Sequence, residues 1–490
     1  MSTSLVWASI SVYVVIAIII AYLSRSGDQK SMAGYFLGER KLNGFVSALS
    51  YSATTYSAFM LVGLAGLTYN GGVGAFGFEI IYFMGVSLVA IFGPRFWLVG
   101  KKYGYVTPSE MLGDRYQSKW VAIVTAISSC LFLIPYSAVQ LTGIGYLLAG
   151  VTDGAIPFTT GVVIATVLAI VFSYIAGIRS VAWTDSLQSL LMITTSTIVV
   201  IVIILHLGGI GGFFDAIEAR DPQALAVPGN GFFNFWTFLG LTIPWFFFSI
   251  SNPQVSQRLF MPASLKSMRH MLLGFLVFGF IYTIVSVVWG FSASVLFPDL
   301  ENADLATPTL LSSDVVPPVL GVIVMVGIMA AAISTIDSIL LTLSSLFSRD
   351  VYRNMTDKAD DSKQLMVGKL VIPVIAVLTF LFAKLELDLI AVLSVAASSG
   401  LIVVVPAIIG SFFWKKGTAA GAISSVVLSS LLVIWVEATD GLLFGLKSGI
   451  WGLLSSSLLF IAVSLVTKAP KQKAEEFTQY VRQNMRSSRS

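Results

Sequence analysis

Ala330-Ala331-Ala332-Ile333-Ser334-Thr335-Ile336-Asp337-Ser338 lies inside an otherwise apolar stretch, residues 318–347. A stretch of that length crosses a bilayer as a helix. On a helix Ser334, Asp337 and Ser338 share one face by their three- and four-residue spacing, with Thr335 beside it. A carboxylate and three hydroxyls are costly in hydrocarbon and normally face a bundle interior or a wet cavity. Oxygen groups clustered in this way suit a small cation, although serine and threonine can also bond back to their own helix. The run reads as half of an ion site whose other half lies elsewhere in the chain.

The composition places that helix in a polytopic membrane protein. Of 490 residues, 56% are hydrophobic and 11% charged, against about 25% charged in soluble domains. Long apolar runs mean helices, since a barrel would show only short alternating segments. The formal net charge of +4 belongs to cytoplasmic loops rather than to nucleic-acid binding. The single cysteine, Cys130, leaves no intrachain disulfide and no cysteine metal motif. The two histidines, His206 and His270, are far apart, and neither an HExxH motif nor a nucleophile elbow is present. An enzyme is therefore not expected.

Hydropathy predicts about thirteen spans. They cover residues 5–23, 44–69, 75–99, 121–150, 157–177, 183–206, 231–250, 271–296, 318–347, 371–383, 390–413, 418–436 and 450–466. Met1 to Val6 carries no basic residue, so the first span is not a cleavable signal peptide, and Arg25 after it places the N-terminus outside. Arg25, Lys30, Arg40 and Lys41 then fall inside, as do Lys101, Lys102, Arg115 and Lys119, and also Arg179. So do Arg258, Lys266 and Arg269, Arg349, Arg353, Lys358 and Lys363, Lys415 and Lys416, and the tail. The acidic loops around Asp215 and Asp299 fall outside. The regions expected are 1–43 (a first helix and a cytoplasmic loop), 44–206 and 231–413 (two halves), 207–230 (an external loop between them), 414–467 (two further helices) and 468–490 (a cytoplasmic tail, frayed or a short surface helix).

Two spans carry signs of interruption. Ser50-Tyr51-Ser52-Ala53-Thr54-Thr55-Tyr56-Ser57-Ala58 puts many small hydroxyl residues mid-membrane. The span ending Ser249-Ile250-Ser251-Asn252-Pro253-Gln254 meets a proline, which removes a backbone donor and disfavours helix at Asn252. Each opens a stretch of about five spans, one starting outward and the other inward. An interrupted first helix in each of two oppositely oriented halves points to an inverted-repeat transporter with its site at the midplane.

In this order and topology several strings resemble the sodium:solute symporter family, over roughly residues 35–416. They are Tyr35-Phe36-Leu37-Gly38-Glu39-Arg40, Ala48-Leu49-Ser50 leading into Ala53, Trp183-Thr184-Asp185, Ala331 through Thr335 with Ser338, and Pro406 followed by Trp414-Lys415-Lys416-Gly417. The resemblance implies an all-α membrane fold, a LeuT-like five-plus-five inverted repeat with one extra N-terminal and two extra C-terminal helices. It implies a sodium site built from the carbonyls of Ala53, Tyr56 and Ala331 and the hydroxyls of Ser334 and Thr335. A second cation or proton site, used by some members, would involve Asp185, Asp337 and Ser338 together with Ser334. The position of Asp337 usually carries a neutral residue in that family, so one sodium ion, two, or a coupled proton all remain open. For Asp185 the plainer reading is an ion pair with Arg179 or another basic loop residue.

The same fold places solute between the two breaks and the third core helix, which nominates Thr55, Tyr56, Ser57, Phe59, Tyr136, Gln140, Trp245, Ser249 and Asn252. For any one of these aromatics, ordinary packing is the simpler account. Proline symporters carry an aspartate where this chain has Thr55. The loop string Val106-Thr107-Pro108-Ser109-Glu110-Met111-Leu112 through Tyr116-Gln117-Ser118, with Gln140, is most similar to the pantothenate branch. No mid-membrane lysine or arginine is expected as a carboxylate clamp. The expected activity is sodium-coupled import of a small organic solute bearing a carboxylate: pantothenate, proline or another amino acid, or a monocarboxylate. The rival readings are a proton-coupled carrier of the same fold, a transporter-like solute sensor and a sodium channel. The expected partners are the solute, sodium and the lipid bilayer of the cell membrane, with no nucleic acid and no obligate protein partner.

Overall fold

The structure is a computed structural model that describes residues 1–23, 31–57, 59–175, 178–356, 360–387, 389–439 and 441–487. Arg25, Lys30, Lys358 and the side chain of Arg179, all assigned to the inner side above, lie outside the described residues. Among those described, ten helices are long and apolar enough to cross a membrane, eleven if one bent pair counts as a single span. The shorter apolar helices Phe158–Ile175 and Phe235–Ser251 complete the expected set.

Eight elements carry the site, labelled here α1 to α8. They are α1 (the bent pair Gly44–Thr55 and Phe59–Gly71), α2 (Val73–Tyr103), α3 (Lys119–Val151), α4 (Phe158–Ile175), α5 (Ile178–His206), α6 (Phe235–Ser251), α7 (Leu265–Leu296) and α8 (Pro318–Ser345). Both expected breaks are present. α1 starts at Asn43, whose side chain accepts from the Val46 amide at 2.9 Å, and it stops at Tyr56, whose φ of −101° and ψ of 78° are not helical. Its two halves meet at a 49° bend. Along the first half Ser52 and Thr55 bond back to the carbonyls of Ala48 and Tyr51 at 2.7 and 2.9 Å. α6 stops at Asn252, which is extended (φ −77°, ψ 115°) as its following proline demands. The chain then resumes as the short turns Pro253–Ser256 and Gln257–Phe260.

α8 is the central element. Every residue from Gly327 to Ser345 is buried, so its polar face meets protein and not lipid. The first helix, Thr3–Leu23, lies at the periphery, with Val12, Val15, Ile16 and Ile19 exposed. The structure refines the expected outline at three places. The expected span 390–413 is a single span whose helix tightens for one turn at Ile402–Val404, between Ile390–Leu401 and Val405–Phe413 and just before Pro406. The stretch 207–230 contains a helix, Gly209–Arg220. The tail forms the helix Lys471–Ser487, docked by Lys473 on Asp114 at 2.8 Å and Lys102 on Glu476 at 3.0 Å, with Phe477 stacked on Tyr103.

Helices in lipid gain little from apolar burial alone and rely on close packing and interhelical hydrogen bonds. α2 and α6 show this directly. A Cβ on Gly85 would stand 2.0 Å from the Phe246 carbonyl oxygen, and Ser249 Oγ donates to the Gly85 carbonyl at 3.3 Å. The obstructing atom belongs to backbone and cannot swing away. Gly85→Ala is therefore expected to destabilise the protein by about 1–3 kcal/mol, as overpacking does, visible as a lower melting temperature of the purified protein. An unchanged melting temperature would show that the two helices part freely.

Candidate functional site

Tyr56 N–H supplies the last turn of the first half of α1 by bonding to Ser52, and among the described residues no later backbone N–H bonds to the Ala53 carbonyl. α8 comes up against that break. Thr335 Oγ1 donates to the Ala53 carbonyl at 3.3 Å. Gln254 Nε2, from the turn after the α6 break, donates to the Thr335 carbonyl at 3.3 Å. One residue of α8 thus ties both interrupted regions together. Ala331 lies one turn away on the same helix and is fully buried. Tyr56 is buried with its ring stacked on Phe275 of α7 at 5.1 Å between centroids.

Ser334 faces a different neighbour. Its hydroxyl donates to Asp185 Oδ1 on α5. Ser50 of α1 donates to Asp185 Oδ2 at 2.6 Å. Against the same carboxylate lies Arg258, only 4% exposed, with Nη2 at 3.5 Å from Asp185 Oδ2. Arg258 also donates to Ser50 Oγ at 2.6 Å and to Ser338 Oγ at 2.7 Å. The arginine assigned to a cytoplasmic loop is therefore inside the bundle, carried there by the turn Gln257–Phe260. It corrects the assignment of Arg258 to a loop, while its guanidinium is engaged by Asp185 and Ser338 and not offered to a solute carboxylate. It also supplies Asp185 with a partner other than Arg179. Asp337 stands apart from this cluster of bonds: its Oδ1 accepts from Ser173 Oγ of α4 at 3.2 Å.

The nominated solute residues divide in two. Thr55 and Ser249 spend their hydroxyls on backbone carbonyls, and Asn252 Oδ1 caps the next turn by accepting from the Gln254 amide at 2.9 Å. Phe59 and Trp245 are brought together, ring centroids 4.6 Å apart. Phe248 lies 4.7 Å from Trp245 and 5.5 Å from Tyr136, so α1, α3 and α6 share one aromatic cluster. Around this region Ser57 Oγ, Tyr56 Oη, Tyr136 Oη, both amide atoms of Gln140 and Asn252 Nδ2 are buried without a hydrogen-bond partner among the described residues. Buried polar atoms in that state call for a ligand or water.

Sequence reasoning missed Glu79 of α2. It is fully buried; Trp245 Nε1 donates to its Oε2 at 3.2 Å, and its Oε1 has no partner among the described residues. The signal was available, since an acidic residue in an apolar span is a functional candidate by default. Arg258 gave a weaker signal, because hydropathy counts a charge beside a helix end as loop.

The Arg258–Asp185 pair joins α1, α5 and α8 to the turn after α6. Removing one member of a buried pair strands the other charge and costs about 3–5 kcal/mol. Asp185→Asn and Arg258→Gln are each expected to lower the melting temperature strongly, and the double variant is expected to melt above either single one. Strictly additive losses would show that the two side chains do not act as a pair.

The sequence matches the sodium:solute symporter family over residues 35–429. It is 28% identical over 391 residues to a sodium/pantothenate symporter of Haemophilus influenzae, covering 79% of this chain and 80% of that one. It is 25% identical over 364 residues to an osmoregulated proline transporter of Bacillus subtilis, covering 71% of this chain and 72% of that one. In structure it superposes on a Na+-coupled sialic acid symporter, solved in a substrate-bound outward-open state, with a TM-score of 0.80 and 22% identity over 95% of this chain and 99% of the other. The helix order, the two breaks and a family match that spans most of the chain agree, and the chain belongs to the sodium:solute symporter family.

Proposed function

We propose that this protein is a sodium-coupled symporter that imports a small organic solute across the plasma membrane by alternating access, with its N-terminus outside and its C-terminus in the cytoplasm. The observation that carries the reading is the Thr335–Ala53 hydrogen bond, which brings α8 onto the broken backbone of α1. The relatives' substrates, pantothenate and proline, support a solute of amino-acid or carboxylic-acid size. The halves 44–206 and 231–413 act as the repeats, flanked by the first helix and the last two.

In this reading sodium is cargo. The carbonyls of Ala53, Tyr56 and Ala331 and the hydroxyls of Ser334 and Thr335 form a neutral cradle that holds a monovalent ion without trapping it. Ser334 suits this role because its proton is committed to Asp185, which leaves its lone pairs for a cation. Thr335 and Ala53, now bonded to each other, would share the ion between them. Sodium arriving from outside ties α1 to α8, and the same coupling raises solute affinity; the solute must raise sodium affinity by the same factor. The rocking of one helical bundle against the other then releases both inside.

Arg258 already occupies the position between Asp185 and Ser338. The carboxylate left for a second cation is Asp337, opposite Ser173.

Ser334→Ala should raise the sodium concentration for half-maximal uptake in proteoliposomes about tenfold, within the usual range of coupling energies. An unchanged sodium dependence would remove Ser334 from the site. Asp337→Asn should lower the number of sodium ions carried per solute and leave the pH profile of uptake as it is. A pH profile that flattens in this variant would make Asp337 a proton carrier instead.

A further inference from the structure

We propose that Glu79 receives a cationic amino group of the transported solute, seated between its carboxylate and the rings of Trp245 and Tyr82. The proposal rests on the symport reading above and narrows its substrate class.

Three observations lead there. First, Glu79 is an acceptor with capacity to spare. It is fully buried, the indole N–H of Trp245 serves one oxygen at 3.2 Å, and Oε1 has no partner among the described residues. Second, the described ion pairs do not balance it. Two arginines are buried: Arg258 is committed to Asp185, and Arg115 donates to the Ser411 and Trp414 carbonyls; none of the described salt bridges involves Glu79. A charge in the membrane interior is retained where it has a task, and it pairs when that task is performed. Third, the surroundings are aromatic. Trp245, whose N–H edge meets Glu79, lies 5.6 Å from Phe78 and 5.4 Å from Tyr82 between ring centroids, and an ammonium group meeting a face of these rings would be attracted to it.

An ammonium group has three donors and no acceptor. Glu79 Oε1 can take one donor, and the unpartnered Tyr136 hydroxyl and Gln140 carbonyl oxygen are the neutral acceptors on α3 open to the others. A solute with only a carboxylate would meet a second carboxylate here. Among the candidates above, this selects an amino acid or another amine over pantothenate and the monocarboxylates. In this arrangement the solute brings the cation that none of the described salt bridges supplies to Glu79.

The test is thermal stabilisation of the purified full chain, run in sodium chloride and in potassium chloride. The ammonium-bearing probes are the twenty amino acids, ethanolamine and putrescine; the probes without ammonium are pantothenate, lactate and pyruvate. At least one ammonium-bearing probe should stabilise the protein and the other three should not. Glu79→Gln should weaken that probe about thirtyfold or more, the loss seen when one member of a buried charge pair is removed, while Glu79→Asp should keep most of the binding. Stabilisation of Glu79→Gln by sodium alone serves as the check on folding, and the comparison of probes on the unaltered chain does not depend on any variant. Binding of pantothenate, lactate or pyruvate that survives Glu79→Gln overturns the proposal, and so does a panel in which no ammonium-bearing probe binds. The two salts separate the two readings. Pantothenate bound only in sodium sinks the role of Glu79 and keeps symport; an amino acid bound equally in both salts and lost in Glu79→Gln keeps the role of Glu79 and sinks sodium coupling.

Discussion

A backbone that leaves the helix inside a membrane must have its polar groups satisfied by protein, because lipid offers no hydrogen bonds. The structure is arranged around that constraint. α1 breaks at Tyr56 and α6 breaks at Asn252, and both breaks are met by α8 or by side chains from the turn beside it. Thr335 serves the first through its hydroxyl; Asn252 serves the second with its own side chain, which accepts from the Gln254 amide, while the Gln254 side chain reaches α8 at the Thr335 carbonyl. That demand accounts for the burial of α8 and for the small residues Ala330, Ala331 and Ala332 along it, since only a thin helix can come so close to broken backbone.

Buried charge follows the same logic at higher stakes. Asp185 receives two hydroxyl protons and a guanidinium, so its charge is fully compensated by groups from three other elements. Ser50 both donates to Asp185 and accepts from Arg258, which makes it a relay within the pair. Asp337 and Glu79 have less: one hydroxyl for the first and one indole N–H for the second. The difference separates a structural carboxylate from two whose compensation is incomplete within the described bonds.

Much of this was readable from the sequence. The spans are long and strongly apolar, and a proline after Asn252 or a run of hydroxyl residues before Tyr56 marks a break by local chemistry alone. The turn at Ile402–Val404 was not read, because an apolar run hides a change of backbone geometry and Pro406 alone only hints at it. Arg258 was misplaced for a physical reason. A hydropathy window sees its charge, but its partner lies 73 residues away in sequence, and nothing local reveals the pairing. Glu79 was overlooked because one carboxylate barely changes the mean of a long apolar window. Likewise the neighbours of Ser334 and Thr335, adjacent in sequence, had to be seen in space: one faces α5 and the other α1.

The contact between Gly85 and the Phe246 carbonyl has a mechanical meaning. Two backbones pressed together resist sliding, so the contact fastens α2 to α6 and sets the spacing of Glu79 and Trp245, one on each. The oxygens of Ala53 and Thr335 sit across a seam between separate helices, joined by a single hydrogen bond. The two regions therefore differ in kind: one is fastened backbone to backbone, and the other is joined, among the described residues, by a side-chain hydrogen bond.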